Sequence, residues 1–501
     1  MDIIVSATPE ACDPEPLSAL TAPPPGATLV ELRIDLFPDL DVAAAVSACP
    51  LPVLATYRSE REGGRGSADP EIRRRTLEAA RDAGVALVDL EHATDLPIRR
   101  LLGLAPEQLV LSWHPTASDR SEVEARCAGM LAESARWVKV VPAAARLADV
   151  AAVLSLHRRF NTGQRGQRRL VTFATGTVGL PSRYLSPLLG PPITYAAFSD
   201  AGPAALGQQL PGRLLAAVGH LEGPPQRLYG VVGGDVSASL SPALHGAGYR
   251  AEKLPYVMLP ISVSDEEDLD ELFAVRGETV FDRVGLPAWG WAVTAPYKLR
   301  AAAAASLAAP RVERAGAANT LLLSPERIVA ENTDADGVTG ALVTLGVDPA
   351  GLEAVVLGTG GAARGAAVGL DLAGAEVILT GRDAARVRAV AEEIGVESGD
   401  GNGQPVADAA ILVNATPLGS SADDDPPFAR DRVEAAAAVV DMVYAEHETT
   451  LVRWARIAGV PVADGRDVLA HQGYAQFAAF TGVLPPRELM RRALGRALQL
   501  T

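Results

Sequence analysis

Eight short apolar runs follow one another through the first 222 residues, and stretches rich in Ala, Leu, Arg and Glu separate most of them. The runs are typical of strands and the stretches have helical spacing. The expected strands are Ile3–Val5, Leu29–Asp35, Val53–Tyr57, Val85–Leu90, Leu109–Trp113, Trp137–Val141, Leu170–Ala174 and Ile193–Ala197. Eight β-then-α units predict a (β/α)8 TIM barrel. A doubly wound open sheet is the alternative, because periodicity does not distinguish a closed sheet from an open one.

A break at Gly223-Pro224-Pro225 separates this part from the remainder of the chain. Two prolines after a glycine end a helix and suit a short linker. A new strand is expected at Leu228–Val232, followed by an α/β segment as far as Asp336. The polar stretch Glu397–Gln404 is expected to be a loop. With 501 residues, the chain is long enough for roughly three domains.

Charge and cysteine content limit the partners and the compartment. A net charge of −16 argues against nucleic acid, whose phosphates would repel the chain. Cys12, Cys49 and Cys127 lack metal-ligand spacing, and so sparse a set suggests a reducing compartment. The first residues lack the features of a signal peptide, and no run approaches the roughly 20 apolar residues of a membrane span. We therefore expect a cytoplasmic protein with no metal, membrane or nucleic-acid partner, and the oligomeric state stays open.

Charged residues interrupt the expected barrel strands. Glu31, Arg33 and Asp35 alternate along one strand, so they share one face, which in a barrel is the interior. They either form a salt-bridged floor or bind a ligand. Lys139 stands alone in an apolar strand, where burial and neighbouring cations would lower its pKa and leave an amine able to attack a carbonyl. His114 ends another strand and is suited to move a proton near such a lysine.

These residues occur in an order found in a known family. The matching pieces are Glu31-Leu32-Arg33-Ile34-Asp35, Thr56-Tyr57-Arg58 with Glu62-Gly63-Gly64, Ser112-Trp113-His114, Lys139, Ser182-Arg183 and Gly207-Gln208. By their order and spacing, this part of the chain resembles type I 3-dehydroquinate dehydratases. The resemblance implies that Lys139 forms an imine with the ketone of 3-dehydroquinate, and that His114, oriented by Glu62, removes a proton and helps water leave. The implied substrate ligands are Arg183 and Gln208 for the carboxylate, and Glu31, Arg33 and Arg58 for the hydroxyls and local charge.

One loop departs from this family's pattern. Where the family has Ser-Ala-Pro-Gly-Gln before its last helix, this chain has Ala204-Ala205-Leu206-Gly207-Gln208. The substrate-facing serine is thus Ala204, and the proline is missing. We expect weaker substrate binding or loop closure, with the chemistry unchanged.

A glycine-rich turn follows the apolar run Val355-Val356-Leu357. Gly358 permits a tight turn, Gly360 lets a pyrophosphate approach the backbone, and Ala363 replaces a third glycine. The N-terminus of the next helix then faces the phosphates, and a second strand follows at the expected distance. The predicted dinucleotide site consists of Gly358, Gly360, Gly361 and Ala362.

Polar clusters stand in apolar surroundings before and after this turn. Taken singly, each has a local explanation, since Ser and Asn cap helices and Thr-Ala-Pro forms turns. Together they resemble shikimate dehydrogenases from about Leu228 onward. The pieces are Ser239-Leu240-Ser241-Pro242 near a helix start, Thr294-Ala295-Pro296-Tyr297-Lys298, Asn319-Thr320 at a turn, Asn332-Thr333-Asp334, Asn414-Ala415-Thr416-Pro417-Leu418-Gly419, Asp441-Met442-Val443-Tyr444, Gly465, Gln472 and Gln476-Phe477.

This second resemblance implies reduction of a ketone with a nicotinamide cofactor. Lys298 would supply the proton to the developing alkoxide, and Asp334 would keep the lysine positioned. Tyr444 would lie near the substrate or the nicotinamide. The implied substrate ligands are Ser239, Ser241, Thr294, Asn319, Thr320 and Gln472, and the implied further cofactor contacts are Asn414, Thr416 and Gly465.

Three departures lie near the implied cleft. The motif before the lysine begins with Ala292 where the family has asparagine, so one amide is missing. Ser420 stands where methionine is usual, and Gly465 is followed by Arg466-Asp467-Val468 in place of apolar residues and methionine. We expect these changes to bear on specificity.

The residues at the end of the second strand of the predicted nucleotide-binding lobe decide whether the cofactor is NAD or NADP. An acidic residue there favours NAD, because it binds the ribose hydroxyls and repels the additional phosphate of NADP. Arg382 and Arg386 lie one helical turn apart and can face one phosphate, whereas Asp383 is expected to cap the following helix. We therefore predict NADP. An inward-facing Asp383 would instead favour NAD.

The predicted fold class is α/β throughout, with a TIM barrel followed by a two-lobed dehydrogenase that contains a Rossmann lobe. The predicted domains are 1–222 for the barrel, 226–336 joined by C-terminal helices in 470–501 for the substrate-binding lobe, and 337–469 for the Rossmann lobe. The two activities connect, because 3-dehydroshikimate, the dehydratase product, is the dehydrogenase substrate. The predicted function is therefore dehydration of 3-dehydroquinate followed by NADPH-dependent reduction to shikimate.

Two alternatives differ from this prediction. The second part would oxidise quinate if it tolerated an additional hydroxyl, but that hydroxyl crowds Ser239 and Ser241. A non-catalytic metabolite sensor is the other alternative, and the intact Lys139, Lys298 and Asp334 argue against it.

Overall fold

Eight parallel strands with helices between them make up the N-terminal part of the chain. The computed structural model describes residues 1–13, 15–115, 119–399, 410–445 and 447–499. Strands β1 to β8 span Asp2–Ala7, Leu29–Arg33, Val53–Thr56, Leu87–Glu91, Leu109–Trp113, Trp137–Val140, Leu170–Thr172 and Ile193–Ala197. Helices α1 to α7 span Pro16–Leu20, Val42–Ala48, Pro70–Asp82, Arg120–Leu131, Leu147–Phe160, Leu180–Leu189 and Pro211–Val218.

The strand order identifies this sheet as a TIM-like barrel. Each of β1 to β6 pairs in parallel with the next strand along the chain, and β1 also pairs with β8. A doubly wound sheet would reverse direction at a switch point, and this order contains no such reversal. The rings of Phe173, just after β7, and Tyr195 of β8 have centroids 5.9 Å apart and bring the two end strands together. The predicted barrel is confirmed, and the doubly wound alternative is excluded.

Alternation along each strand separates the barrel interior from the layer under the helices. In β6, Val138 and Val140 belong to the outer core, whereas Trp137 belongs to the inner cluster. Because successive side chains point to opposite faces, Lys139 shares the inner face with Trp137. The same alternation places Glu31 inside, two residues after Leu29, which packs against the inner cluster.

A mixed six-stranded sheet follows the barrel, in the order β10-β9-β11-β13-β14-β12. Strands β9 to β14 span Arg227–Gly233, Tyr256–Ser262, Ala288–Val293, Leu307–Ala308, Thr320–Leu323 and Ile328–Glu331. Helices α8 to α12 span Ser241–Ala251, Glu266–Leu272, Lys298–Ala304, Pro310–Ala315 and Asp334–Leu345. Strands β9, β10 and β11 are parallel, so the segments that follow β9 and β11 emerge at one edge of the sheet.

An all-parallel sheet forms the nucleotide-binding lobe, in the order β17-β16-β15-β18-β19-β20. Strands β15 to β20 span Glu353–Leu357, Glu376–Thr380, Glu397–Ser398, Ile411–Asn414, Ala438–Asp441 and Val462–Ala463. Helices α13 to α16 span Gly361–Leu372, Ala384–Ile394, Arg430–Ala435 and Thr450–Ala458. This is the 3-2-1-4-5-6 order of a Rossmann fold, whose switch point lies between the strands that open its two halves. The predicted Rossmann lobe is confirmed.

Two C-terminal helices complete the chain, α17 at Gly465–Thr481 and α18 at Arg487–Gln499. Helix α18 places Met490 and Leu494 in one core cluster with Tyr229 and Tyr249 of the mixed-sheet lobe. The expected boundaries 336/337 and 469/470 fall inside α12 and α17, and α17 contacts strands of both sheets, β11 and β13 of the mixed sheet and β19 and β20 of the parallel one. Among the described residues, no helix is both long and apolar enough to span a membrane.

Three local expectations differ from the structure. Asp35 lies beyond β2, because β2 ends at Arg33, although the Arg33 guanidinium still binds the Asp35 carboxylate. Thr320 begins β13 rather than a turn, since backbone bonds to both β11 and β14 outweigh the turn preference of the preceding asparagine. Glu397–Ser398 is an edge strand paired with β16 rather than a loop, because edge pairing uses backbone groups alone. The remainder of the expected loop, from residue 400, lies outside the described residues.

Charged residues join the barrel to the mixed-sheet lobe. Arg146, just before α5, lies 3.2 Å from the Asp268 carboxylate and 2.7 Å from that of Glu267, both on α9. The Leu147 amide donates to the second Asp268 oxygen at 3.1 Å. Asp268 is fully buried. A carboxylate of one domain therefore caps a helix of the other.

Candidate active sites

A cavity of about 400 Å³ lies at the carboxyl ends of the barrel strands. All eight residues predicted for the dehydratase chemistry line it, namely Glu31, Arg33, Arg58, Glu62, His114, Lys139, Arg183 and Gln208. They come from widely separated positions in the sequence, and the closed parallel sheet brings them to one end. Barrel active sites form at this end, so the cavity is the candidate site of the first activity.

Lys139 stands between two carboxylates inside the barrel. Its Nζ lies 3.5 Å from Glu31 Oε1, 3.7 Å from Asp89 Oδ2 and 3.9 Å from the centroid of the Tyr195 ring. Burial lowers the pKa of Lys139; the two carboxylates oppose this change, whereas nearby guanidinium groups add to it. A lowered pKa increases the fraction of free amine, the form that attacks a carbonyl.

His114 is held by Glu62 through two hydrogen bonds. Glu62 Oε2 accepts from the His114 backbone amide at 2.9 Å and lies 3.0 Å from Nδ1. Burial raises the pKa of Glu62 to about 7. When Glu62 is ionised, this contact places the ring proton on Nδ1 and leaves Nε2 free to accept a proton. Burial, with the charges of Arg58 and Lys139, holds the pKa of His114 well below its ordinary value. The imidazole is therefore neutral at physiological pH and suited to act as a base.

Arg58 forms ion pairs with the carboxylates on one side of the cavity. It donates to Ser112 Oγ at 2.9 Å, to Glu62 at 3.2 Å and to both oxygens of Asp89 at 3.2 Å. Arg58 thus uses its donors on groups of the protein itself and holds the carboxylates near Lys139 in place. Arg33 similarly forms a two-bond pair with Asp35, at 2.9 and 2.8 Å, on the cavity wall.

Arg183 supplies a buried positive charge at the other side of the cavity. Its guanidinium carbon lies 4.6 Å from the centroid of the Phe173 ring, and its Nη2 donates to the Leu206 carbonyl at 3.4 Å. Its Nε has no hydrogen-bond partner among the described residues, and no carboxylate of those residues pairs with it. Burial lowers the pKa of Arg183 to about 10, so it remains a cation at neutral pH. Such a group is suited to bind a carboxylate of the substrate.

Gln208 lines the same cavity as Arg183 and donates to Ser6 Oγ at 3.2 Å. Ala204 also lines the cavity, so the methyl group stands where the family has a hydroxyl. Ser6, Phe173 and Tyr195 are among the lining residues for which the sequence predicted no role. Tyr195 was detectable in principle, because the alternation of side chains along β8 places it on the same inner face as Ile193.

The second site is built around an ion pair. Lys298 Nζ and Asp334 Oδ2 lie 2.5 Å apart, with 11% and 7% of their side chains exposed. Lys298 begins α10 and Asp334 begins α12, so the first turns of two helices bring the pair together. A lysine ammonium group held by a carboxylate is suited to donate a proton to a substrate oxygen.

Asn319 connects this pair to the C-terminal helix. Its Nδ2 donates to Asp334 Oδ1 at 3.1 Å and to Gln472 Oε1 at 3.1 Å. Its Oδ1 accepts from the Thr320 hydroxyl at 2.9 Å and from the Thr333 amide at 2.8 Å. Five polar residues of three segments thus form one network.

Ser239, Ser241 and Tyr444 form a second group. The Ser241 amide donates to Ser239 Oγ at 3.3 Å. Burial raises the pKa of Tyr444, and Ser239 opposes that rise. Ser239 follows β9 and Thr294 follows β11, and these strands are neighbours in parallel. Ser239 and Thr294 therefore project from the same sheet edge, while Tyr444 comes from the Rossmann lobe across the cleft.

The glycine turn has the geometry of a phosphate site. Gly358 has a φ of +129°, which favours glycine, and its amide donates to the Thr380 carbonyl at 2.9 Å. A Cβ at Gly360 would meet no heavy atom within 4 Å, so this side of the turn is open. Gly361 begins α13, and the first amides of a helix lack intrahelical acceptors. These residues fit the pyrophosphate of a dinucleotide.

Asn414 uses its side chain within the protein. Its Nδ2 donates to Asp441 Oδ1 at 2.9 Å and to the Leu418 carbonyl at 3.0 Å, and its Oδ1 accepts from the Thr416 hydroxyl at 2.7 Å. These bonds order the loop beyond β18. A Cβ at Gly465 would lie 2.3 Å from the Val443 carbonyl, so this glycine permits α17 to touch the segment that carries Tyr444.

The expected NADP-specific residues lie at the end of β16. Arg382 and Arg386 are both exposed. Asp383 accepts hydrogen bonds from the amides of Ala385 and Arg386, both at 3.1 Å. The expectation that Asp383 caps this helix is confirmed. The described residues contain no group of three or more His, Cys, Asp or Glu residues placed to hold a metal ion.

Three family models match the chain. Type I 3-dehydroquinase matches residues 17–219. The shikimate dehydrogenase substrate binding domain matches residues 231–321, and the shikimate 5'-dehydrogenase C-terminal domain matches residues 465–494. The first match covers the barrel from α1 to α7, and the other two flank the Rossmann lobe.

Curated relatives resemble either the whole chain or its second part. The chain is 28% identical over 496 residues to a chloroplastic bifunctional 3-dehydroquinate dehydratase/shikimate dehydrogenase of Arabidopsis thaliana, covering 93% of this chain and 79% of that protein. It is 36% identical over 281 residues to a shikimate dehydrogenase (NADP(+)) of Halorubrum lacusprofundi, covering 54% of this chain and 99% of that protein. A crystal structure of the Thermus thermophilus shikimate 5-dehydrogenase with NADP(H) and shikimate is 33% identical, covers 54% of this chain and all of that chain, and has a TM-score of 0.48. The chain belongs to the shikimate dehydrogenase family, with a type I 3-dehydroquinase domain fused before it.

Proposed function

We propose that this chain dehydrates 3-dehydroquinate in its barrel and reduces the product, 3-dehydroshikimate, to shikimate in its second part. One observation carries the proposal: each part has one lysine poised for its own reaction. Lys139 is a buried amine of lowered pKa inside a cavity, and Lys298 is held in a largely buried ion pair with Asp334. The first setting suits nucleophilic attack and the second suits proton donation.

In the barrel, the Lys139 amine attacks the ketone carbon, and loss of water gives an imine. The protonated imine draws electrons from the adjacent C–H bond, so His114 can take that proton at Nε2. The electron pair left on carbon expels the neighbouring hydroxyl, to which His114 returns the proton, and water leaves. Addition of water to the imine then releases the product and restores the amine. Arg183 would hold the substrate carboxylate throughout.

In the second part, the nicotinamide cofactor, when bound, supplies hydride to the ketone carbon. Lys298 donates a proton from Nζ to the ketone oxygen. Asp334 keeps the ammonium group in place, and Asn319 holds the other Asp334 oxygen. Ser239, Ser241, Thr294 and Gln472 would bind the carboxylate and hydroxyls, and Tyr444 would lie against the substrate from the other lobe.

NADP is the proposed cofactor. The open glycine turn at the start of α13 would hold the pyrophosphate, and the exposed Arg382 and Arg386 would bind the additional phosphate. Asp383 uses its carboxylate for helix capping, which removes the main obstacle to that phosphate. The Halorubrum relative is named as an NADP enzyme.

The other proposed partners are small-molecule substrates, and the proposed location is the cytoplasm. The net charge of −16 disfavours nucleic acid. The three cysteines are free and buried, which suits a reducing compartment.

Two single substitutions test the proposal, each serving as the control for the other. Lys139→Ala should abolish dehydration of 3-dehydroquinate and leave shikimate oxidation unchanged. Lys298→Ala should lower the kcat of shikimate oxidation on the order of a thousandfold, as loss of a general acid does, and leave dehydration unchanged. Borohydride reduction in the presence of 3-dehydroquinate should attach substrate to Lys139. Dehydration that survives Lys139→Ala would refute the imine, and a rise in KM with unchanged kcat would make Lys298 a binding residue.

A further inference from the structure

The side chain of Asn332 links the backbones of Lys298 and Asp334. Asn332 is 1% exposed and lies between β14 and α12. Its Oδ1 accepts from the Asp334 amide at 3.1 Å, and its Nδ2 donates to the Ala317 carbonyl at 2.9 Å. The next amide, that of Ala318, donates to the Lys298 carbonyl at 2.9 Å. One buried amide group therefore fixes the spacing between the two chain segments that carry the ion pair.

Helix α13, which begins at the glycine turn, packs directly against the side-chain amide of Asn332. Gly365 is buried in α13, and a Cβ there would lie 2.7 Å from Asn332 Oδ1 and 2.8 Å from Nδ2. One turn earlier, a Cβ at Gly361 would lie 2.6 Å from the Cβ of Lys298. Atoms of real side chains do not approach so closely, so a side chain at either glycine would displace the neighbour. Helix α13, which begins at the phosphate site, is thus in direct contact with both Asn332 and Lys298.

We propose that Asn332 is a positioning residue for the Lys298–Asp334 pair and that Gly365 sets the place of its side chain. The inference rests on the proposed reductase function of the second part. Asn332 acts through Asp334 and through the Ala317–Ala318 segment. Gly365 is the complementary residue, since any larger residue would push the Asn332 amide away from one of its two bonds.

A purely structural role is distinguishable from this one. Asn332 would accept from the first amide of α12, that of Asp334, in either case, and loss of this bond lowers stability. A positioning role additionally requires the Nδ2 bond to Ala317, which does not belong to α12. Loss of that bond would misplace Lys298 relative to Asp334, and misplacement of reacting groups by about 1 Å lowers a rate by up to about a hundredfold.

The test compares Asn332→Ala and Gly365→Ala with Gly495→Ala in the full-length protein. Gly495 is the matched control, because it also lies in a helix, α18, and a Cβ there would meet nothing within 4 Å. The measurements are kcat and KM for shikimate and NADP, dehydration of 3-dehydroquinate by the same molecules, and the thermal midpoint. We expect kcat to fall by about tenfold to a hundredfold in the first two variants. Both KM values, the dehydratase rate and the kinetic constants of Gly495→Ala should stay close to wild type, and its thermal midpoint should not fall, because alanine favours a helix over glycine.

Each outcome decides for or against the inference. A kcat within twofold of wild type in both variants overturns it, as does a rise in KM at unchanged kcat. If Asn332→Ala lowers the thermal midpoint, Asn332→Ser decides, since its hydroxyl can accept from the Asp334 amide but is too short to reach Ala317 as well. Wild-type kcat in that variant overturns the inference, and a lowered kcat at an unchanged midpoint supports it. Wild-type protein that does not oxidise shikimate at all would instead refute the proposed function.

Discussion

The environment of Lys139 combines two opposing effects on one amine. Burial and nearby guanidinium groups favour the neutral form, whereas Glu31 and Asp89 favour the ammonium. The Glu31 carboxylate is held by the Ser6 hydroxyl at 2.6 Å and the Thr56 hydroxyl at 2.9 Å, so it cannot move away from the lysine. The pKa of Lys139 is lowered on balance, and the carboxylates limit how far it falls. The pH at which the amine becomes reactive therefore depends on Glu31.

Glu31→Gln should move the acidic limb of the dehydratase pH profile to lower pH. The amine reacts in its neutral form, so the rate rises with pH through the pKa of Lys139. Removing a carboxylate that raises this pKa should shift the limb down by about one unit. The amide oxygen of Gln can still accept from one of the two hydroxyls, Ser6 or Thr56, while its NH2 group can donate to the oxygen of the other. The measurement is kcat/KM for 3-dehydroquinate as a function of pH, with the exposed Glu60→Gln as control. A limb that stays in place or moves to higher pH contradicts the account.

At the scale of strands and helices, the sequence predicted the elements well because each carries a local signal. All eight barrel strands and the strand at Glu376–Thr380 occur where apolar runs predicted them, with ends that differ by one or two residues. Lys139 was predictable as an inward residue, because alternation with Trp137 fixes its face. The edge strand Glu397–Ser398 was not, since its pairing uses backbone groups and leaves no pattern in the side chains.

Roles that depend on contacts between distant elements could not be predicted from the sequence. The bridge formed by Asn332 depends on where Ala317 lies, and Gly365 matters only because α13 packs on that bridge. The internal bonds of Asn414 likewise depend on Asp441, in another strand. Periodicity and motif spacing describe one segment at a time, and these contacts involve two or three.

The arginines beside α14 should decide between the two cofactors. Replacing Arg382 and Arg386 together with alanine should lower kcat/KM for NADP by about a hundredfold, because charged hydrogen bonds contribute roughly 1.5–3 kcal/mol each, and should change kcat/KM for NAD little. Arg388→Ala is the matched control, being exposed on the same helix. If the wild-type protein has an equal kcat/KM for NAD and NADP, Asp383 hydrogen bonds to the ribose hydroxyls instead.

In the whole molecule, arginines of the barrel and of the second part both bind the acidic helix α9. Arg146 follows β6, the strand of Lys139, and binds three carboxylates at the start of α9, those of Asp265, Glu267 and Asp268. On the other side, Arg300 of α10, the helix that begins with Lys298, pairs with Asp270 of α9. Helix α9 is thus held from both domains by charged groups, and Asp268 is the buried member of the set.

Asp268→Ala should destabilise the protein more than Glu267→Ala does. Asp268 caps α5 across the domain boundary and is fully buried, so its loss should lower the free energy of unfolding by about 1–3 kcal/mol. The Glu267 side chain is 73% exposed and contacts the same arginine, so its loss should cost less than about 0.5 kcal/mol. Urea unfolding of the two variants measures the difference. Equal stabilities would mean that the domain contact does not depend on the buried carboxylate.

The central claim is that one chain carries both reactions. The most direct measurement supplies purified protein with 3-dehydroquinate and NADPH, and follows NADPH absorbance together with the formation of shikimate. We predict that the wild-type protein consumes NADPH and forms shikimate in equal amounts. Lys139→Ala should abolish both unless 3-dehydroshikimate is supplied. Lys298→Ala should stop the reaction at 3-dehydroshikimate. Wild-type protein that consumes no NADPH, or that forms no 3-dehydroshikimate from 3-dehydroquinate, would contradict the account.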